Sequence, residues 1–177
     1  MPTQFPDYDI DAVLQGKKPF EEISWFHNNM PYACSNPEPN EALMFSEERV
    51  PRDIWQLTTS IQNGFETTIT NDNFGDIWRG ESALAAIDAP DALQIVREVI
   101  RFLEAAGIYQ SADAESPSYY HLPDDKQTLL KSQLHHLDFQ CYWGGNGWEQ
   151  RIEPELYIKT FEYVLKNIDT YRKRKVA

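Results

Sequence analysis

Cysteine is scarce in this chain: Cys34 and Cys141 are the only two in 177 residues. They form no CxxC pair, which excludes a disulfide-stapled scaffold and a metal knuckle built on cysteine. Reduced, buried thiols are expected instead, because free cysteine is among the most buried residue types. Positive charge is also short. The first 150 residues hold 24 acids against 9 bases, and a protein that grips nucleic acid directly must neutralise phosphates with Lys and Arg. Direct binding to DNA or RNA is therefore excluded as an expectation, and anionic membrane surfaces are excluded by the same repulsion. No apolar run approaches the roughly 18 residues of a spanning helix. Met1-Pro2-Thr3-Gln4 begins neither a basic nor an apolar leader, so the expected protein is soluble and cytoplasmic.

What the chain does have is aromatic mass and acid. Five Trp, nine Tyr and nine Phe, within a 41% hydrophobic composition, supply large side chains to a core and argue against disorder. The 28 acids and 16 bases give a net charge of −12. Arg172-Lys173-Arg174-Lys175 holds four of those bases, so residues 1–171 carry 28 acids and 12 bases, a net −16. The basic end reads as a helix C-terminus, where cations meet the macrodipole, or as a solvated tail. The length suits one domain: residues 1–177 are expected to form a single acidic helical domain with the short basic end at 172–175.

Helical signals dominate. Asp7 or Asp9 can cap a short helix carrying Ile10, Val13 and Leu14 on one face, with Gly16 beyond its end. Pro19 suits a helix start ahead of Phe20, Ile23, Trp25 and Phe26, and Glu38 to Phe45 suits another short helical turn. Past Ser46 a longer helix runs through Pro51, turns Ile54, Trp55, Leu57, Thr58 and Ile61 inward, and ends near Asn63-Gly64. Phe65 to Thr70 is ambiguous, because its Thr and Ile residues favour a strand while its neighbours favour helix. Asn71 to Gly75 reads as a turn, and a helical stripe resumes at Ile77, Leu84 and Ile87.

The clearest helix starts at Pro90 and stops at Gly107, with Leu93, Val96, Ile100 and Leu103 at helical spacing. Asp124 and Asp125 stand where capping acids belong, ahead of Leu129, Leu130, Leu134 and Leu137. A last helix is expected from about Pro154 to Tyr171, with Leu156, Phe161, Val164, Leu165 and Ile168 inward. No segment alternates as a strand beyond about six residues. The fold expected is all-α or nearly so, a single-domain irregular helical bundle.

Few sites survive inspection. Asp7-Tyr8-Asp9-Ile10-Asp11 starts like a calcium loop, but Ala12 stands where the sharp turn needs Gly and Lys18 where the ion needs a bidentate Glu. Gly144-Gly145-Asn146-Gly147 lacks the Gly-Lys-Ser/Thr ending of a phosphate loop and reads as a turn. His121, His135, His136, Asp138 and Cys141 are the only cluster with acid–base or metal-binding chemistry. Its spacings put neither His135 with Cys141 nor His136 with Asp138 on one helical face. A structural role is expected for it, with no metal, no cofactor and no catalysis, although a Cys141–His pair could still meet in space rather than in sequence.

Gln62-Asn63-Gly64-Phe65 through Asn71, then Ala83-Leu84-Ala85-Ala86-Ile87-Asp88-Ala89 and the helix to Gly107, resembles a bacterial family long catalogued as a domain of unknown function. Its best-studied member is an acidic mimic of double-stranded DNA. The likeness covers roughly residues 45–110, and the chain departs from the pattern at Phe65 and Asp88, where the family usually has Gly. The resemblance implies a helical fold without catalysis, active as a monomer or a homodimer. Its implied partners are a helix-turn-helix transcriptional regulator and the histone-like HU protein, bound in place of DNA. Duplex DNA carries one charge per ~1.7 Å of axis, so sixteen net charges match on the order of 27 Å of duplex. The acids expected to make the contact sit at helix starts or on outward faces: Asp7, Asp9, Asp11, Glu21, Glu22, Glu47, Glu48, Asp53, Asp72, Asp76, Asp124 and Asp125. Two other readings compete: an acidic interaction domain whose charge serves only solubility, and an enzyme built on His135, His136, Asp138 and Cys141.

Overall fold

A computed structural model describes residues 8–15, 43–72, 74–110, 118–143 and 148–174. The described residues form eight α-helices and no strand: α1 (Ile10–Leu14), α2 (Ser46–Ser60), α3 (Phe65–Thr70), α4 (Phe74–Ala86), α5 (Pro90–Ala106), α6 (Asp124–Asp138), α7 (Glu153–Lys166) and α8 (Ile168–Arg172). The all-α expectation holds. Short 3-10 turns cover Ile61–Asn63 and Tyr119–His121, and wide π-type turns cover Phe139–Trp143 and Trp148–Ile152. The expected Pro19 helix, the Gly144 to Gly147 turn and Cys34 lie outside the described residues.

Local chemistry sets most boundaries. Asp9 caps α1 through the amides of Asp11 and Ala12, satisfying donors that a first helical turn leaves orphaned. Pro90 opens α5, and Gly107, in the left-handed region at φ +99°, closes it with the Ile108 amide donating to the Leu103 carbonyl at 2.9 Å. Such a cap favours glycine, which carries no Cβ to clash there. Lys126 adds its ammonium to the Ala106 carbonyl at 2.9 Å, tying the end of α5 to the start of α6.

Two elements depend on distant partners. Pro51 sits inside α2 and has no N–H to donate to the Glu47 carbonyl one turn back. The hydroxyl of Tyr171, from α8, donates to that carbonyl at 2.6 Å instead. The ambiguous segment 65–70 is helical: the Phe65 and Glu66 amides donate to the carboxylate of Asp138 at 2.7 and 2.9 Å, a cap supplied from α6. The Thr68 and Thr70 hydroxyls donate to the carbonyls of Gly64 and Glu66 one turn back, which accommodates a threonine-rich stretch in a helix. The turn expected over Asn71 to Gly75 is shorter than its sequence suggested, since α4 already begins at Phe74.

The main core runs through α2, α4, α5 and α6, with Ile54, Leu57, Ile77, Leu84, Val96, Leu103 and Leu134 fully out of water. Gly80 lets α4 close on α2, because a Cβ there would lie 2.7 Å from a Leu57 methyl. Phe65 meets Trp148 edge to face at 6.0 Å, joining α3 to the turn before α7. A second, smaller cluster is separate: Ile10, Met44, Val164 and Tyr171 are buried together, with Val13, Leu14 and Ile168 at its margin. The last helix is not continuous to Tyr171. It breaks at Asn167, where φ is −106° and ψ is 15°, and the Asn167 side-chain amide donates to the Tyr163 carbonyl at 2.8 Å. The break lets α8 swing Tyr171 inward, and Leu165, expected inward, is instead 47% exposed on α7.

Candidate functional site

The expected contact acids divide sharply once placed. Asp7, Glu21 and Glu22 lie outside the described residues. Asp9 is consumed in part by capping α1. Asp11 receives Arg172 at 2.8 Å. Asp53, whose side chain is 13% exposed, pairs with Arg52 at 2.7 Å, and Asp76 pairs with Arg79 at 2.6 Å while also accepting from Ser60. Each pair lies within one helix; the Ser60 hydrogen bond and a 4.0 Å approach of Arg79 to Asp53 join α2 to α4. Asp72 adopts φ +57° and accepts from the Ser118 hydroxyl and the Tyr119 amide at 2.7 Å each, so it holds the 3-10 turn before α6. Glu47 is half-buried, and its carboxyl is held below the usual range by backbone and Ser46 hydrogen bonds, with Lys173 and Thr170 adding to the pull.

Glu48 corrects the expectation most clearly. It is 0% exposed, so it cannot present charge to a partner. Its carboxylate accepts from the Phe45 amide at 2.7 Å and the Tyr8 hydroxyl at 2.7 Å, and it receives Arg174 on both oxygens at 2.9 and 2.8 Å. Arg174 also donates to the Leu43 carbonyl at 2.6 Å and stacks 4.0 Å over the Phe45 ring. The basic end is thus divided between two roles. Arg172 closes α8 as a helix-end cation, whereas Arg174 is folded back onto a buried carboxylate rather than left in solvent.

Asp124 and Asp125 stand exposed in the first turn of α6. They make no ion pair with any described residue. Sequence reasoning passed over others of the same kind: Asp88, Glu104 and Glu162 are exposed and Glu98 is half-buried, and none makes an ion pair among the described residues. Glu98 and Glu104 could have been singled out by their outward positions on the strongly periodic α5. Asp88, at φ +56°, gives no such signal.

The histidine cluster disperses into separate contacts. His135 Nδ1 lies 3.1 Å from Glu66 Oε2, and Lys131 lies 3.3 Å from the other oxygen of Glu66. His136 is paired with Gln140 at 2.9 Å, and His121 is exposed in the 3-10 turn. Asp138, 2% exposed, faces the same helix as His135, accepting from the amides that open α3. Gly64 makes room for it at φ +91°, where a Cβ would lie 2.7 Å from Asp138 Oδ2. Burial raises the Asp138 carboxyl, opposed by the Glu66 and Phe65 amides; nearby Glu66 adds to the rise and His135 opposes it. Burial also raises the half-buried Cys141 thiol, helped by the charges of Asp138 and Glu98. A raised thiol is a poor nucleophile near neutrality, because the thiolate is the reactive form. Among the described residues no group of three His, Cys, Asp or Glu side chains is placed to hold a metal ion, and no helix is long and apolar enough to cross a membrane.

An open groove of about 660 Å³ lies between α1 and the α7–α8 segment. No protein-family model, curated protein or solved structure matches the chain.

Proposed function

We propose that this chain is a DNA-mimic binding protein that occupies the basic surface of a DNA-binding protein and so keeps DNA away. The candidate partners are a helix-turn-helix transcriptional regulator and the histone-like HU protein, the classes implied by the sequence resemblance. One observation carries the reading: the carboxylates of Asp88, Glu104, Asp124, Asp125 and Glu162 stand exposed without an ion pair among the described residues. The fold pairs part of its acid internally, through Arg52, Arg79, Arg172 and Arg174, so among the described residues these five groups meet solvent without an ion pair. Helices hold four of the five, with Asp88 in the turn between α4 and α5, which suits a surface that imitates a fixed array of phosphates.

The test is competition in a gel-shift assay, with labelled DNA, the regulator or HU, and rising amounts of this protein at several salt concentrations. Displacement of DNA should weaken as salt rises, because exposed charges are screened within about 10 Å at 0.1 M. Neutralising Glu104, Asp124 and Asp125 together should abolish it, whereas Asp124→Asn alone should cost little, exposed pairs being worth roughly 0–1 kcal/mol. Displacement indifferent to salt, or intact in the triple variant, would sink this choice of contact acids. Absence of any displacement by the unmodified protein would sink mimicry itself.

A further inference from the structure

Three groups from one short stretch of chain, residues 43–48, converge on the guanidinium of Arg174. Glu48 receives it on both oxygens at 2.9 and 2.8 Å, the Leu43 carbonyl accepts from it at 2.6 Å, and the Phe45 ring lies 4.0 Å from its central carbon. The Phe45 amide and the Tyr8 hydroxyl each donate to the same carboxylate at 2.7 Å, which fixes its orientation. The stretch runs into α2, whose Ile54 and Leu57 belong to the main core, so the walls are anchored through that helix rather than through their occupant. The occupant is attached differently. Arg174 lies past the end of α8, where its amide donates to the Tyr171 carbonyl at 3.1 Å and the Lys173 amide to the Thr170 carbonyl at 3.2 Å. Its side chain is 13% exposed at the rim, whereas the Glu48 side chain beneath it is 0% exposed.

We propose that residues 43–48 form an arginine-recognition pocket that Arg174 fills in cis, an autoinhibitory contact that an arginine side chain of a partner polypeptide replaces. Two carboxylate oxygens, an aromatic face and a carbonyl acceptor match the planar fork of a guanidinium, which bonds in pairs and stacks, and they do not match the compact ammonium of lysine. A side chain tethered to the same molecule competes at a high effective concentration, so the apparent affinity for an outside arginine is lowered by the fraction of molecules in which the pocket is open. The pocket goes beyond the mimic reading and does not need it, because it selects a chemical group whatever else the partner binds.

The probe is a short Gly–Ser peptide with one central Arg, and the controls carry Lys or the uncharged analogue citrulline in its place. Added to Arg174→Ala, the Arg peptide should raise the melting temperature saturably, as a ligand of the folded state does, and the controls should bind about tenfold or more weakly. Glu48→Gln in the same background should abolish the rise. The unmodified protein should bind the Arg peptide about a hundredfold or more weakly than Arg174→Ala does, the scale of one partner of a buried ion pair, and binding should move the Arg174 Nε–H resonance to the position of an arginine in solvent. If Arg174→Ala does not fold, Arg174→Lys decides the matter: the Arg peptide should raise its melting temperature and the Lys peptide should not.

No rise with the Arg peptide, equal responses to the Arg and Lys peptides, or a rise that survives Glu48→Gln would overturn the pocket. Equal affinity for the Arg peptide in Arg174→Ala and the unmodified protein would place the binding elsewhere. An Arg174 resonance that stays in place up to the highest peptide concentration reached would overturn the exchange and leave a fixed ion pair. None of these measurements contains DNA, so the pocket and mimicry fail separately: absence of displacement in the gel-shift competition leaves the pocket standing, and absence of arginine selectivity leaves mimicry standing.

Discussion

Replacing Arg174 with Ala should show how strongly the C-terminal end is built into this fold. The substitution removes a guanidinium that spans both oxygens of Glu48 at 2.9 and 2.8 Å, and Glu48 has no exposed surface. The Tyr8 hydroxyl and Phe45 amide still donate to the carboxylate, but among the described residues no other cation is paired with it to balance its charge. Removing one partner of a buried pair costs about 3–5 kcal/mol, because the other charge stays buried without compensation. For a chain of this length each kcal/mol moves the melting temperature by about 2–4 °C, so a fall of roughly 6–20 °C is expected.

The local structure decides how that loss is expressed. Glu48 borders the small cluster of Ile10, Met44, Val164 and Tyr171, which is separate from the main core. Part of the cost can therefore be relieved by undocking α1 and α8 alone, a local opening of the kind seen by hydrogen exchange. Amides of Ile10 to Leu14 and of Tyr171 should lose protection in Arg174→Ala while those of Val96 to Leu103 keep theirs. Glu48→Gln combined with Arg174→Met should cost less than the sum of the two single changes, by about 0.5–3 kcal/mol of coupling. A melting shift under about 2 °C together with unchanged α1 exchange would refute the reasoning, and would mean that Glu48 finds water or another cation at no cost.

Four further outcomes follow from the structure. Asp138→Ala, which leaves the amides of Phe65 and Glu66 without their acceptor, should lower stability to chemical denaturation by about 1.5–3 kcal/mol. Asp138 also carries a pH signature: its folded carboxyl is raised above its unfolded value near 3.9. The folded state then holds the proton more tightly. The stabilisation this gives is complete below that value and is lost as pH climbs through the raised folded one, so as pH rises above about 4 the unmodified protein should lose stability relative to Asp138→Asn in paired denaturation curves. Gly80→Ala should cost about 1–3 kcal/mol by forcing α4 off Leu57, read as a shifted denaturation midpoint with unchanged slope. In a Cys34→Ser background, Cys141 should alkylate much more slowly at pH 8 than free cysteine, whose pKa is about 8.5, because burial raises its thiol; a rate equal to free cysteine would contradict the placement.

The legible parts of this protein are those whose physics is local. The stripe Val96, Ile100 and Leu103 between Pro90 and Gly107 repeats at the helical period, and α5 spans Pro90–Ala106 as its start and stop residues require. Asp9 caps α1 for the same reason: a short oxygen-bearing side chain beside orphaned amides needs nothing from elsewhere in the chain. The acidic surplus, too, is a property of composition alone.

Tertiary structure decided the rest, because the deciding partner lies far away in sequence. Segment 65–70 becomes a helix when Asp138, more than seventy positions on, caps it, and propensity within the segment could not resolve helix from strand. Pro51 is tolerated in α2 because Tyr171 takes the carbonyl that proline leaves unserved. Glu48 and Asp125 look alike in a sequence, each an acid in the first turn of a helix. One is sealed under Arg174 and the other stands in water. Charge can be counted residue by residue, but whether a charge is compensated depends on what folds against it, and that is fixed only when chain ends such as Tyr8 and Arg174 meet around the same carboxylate.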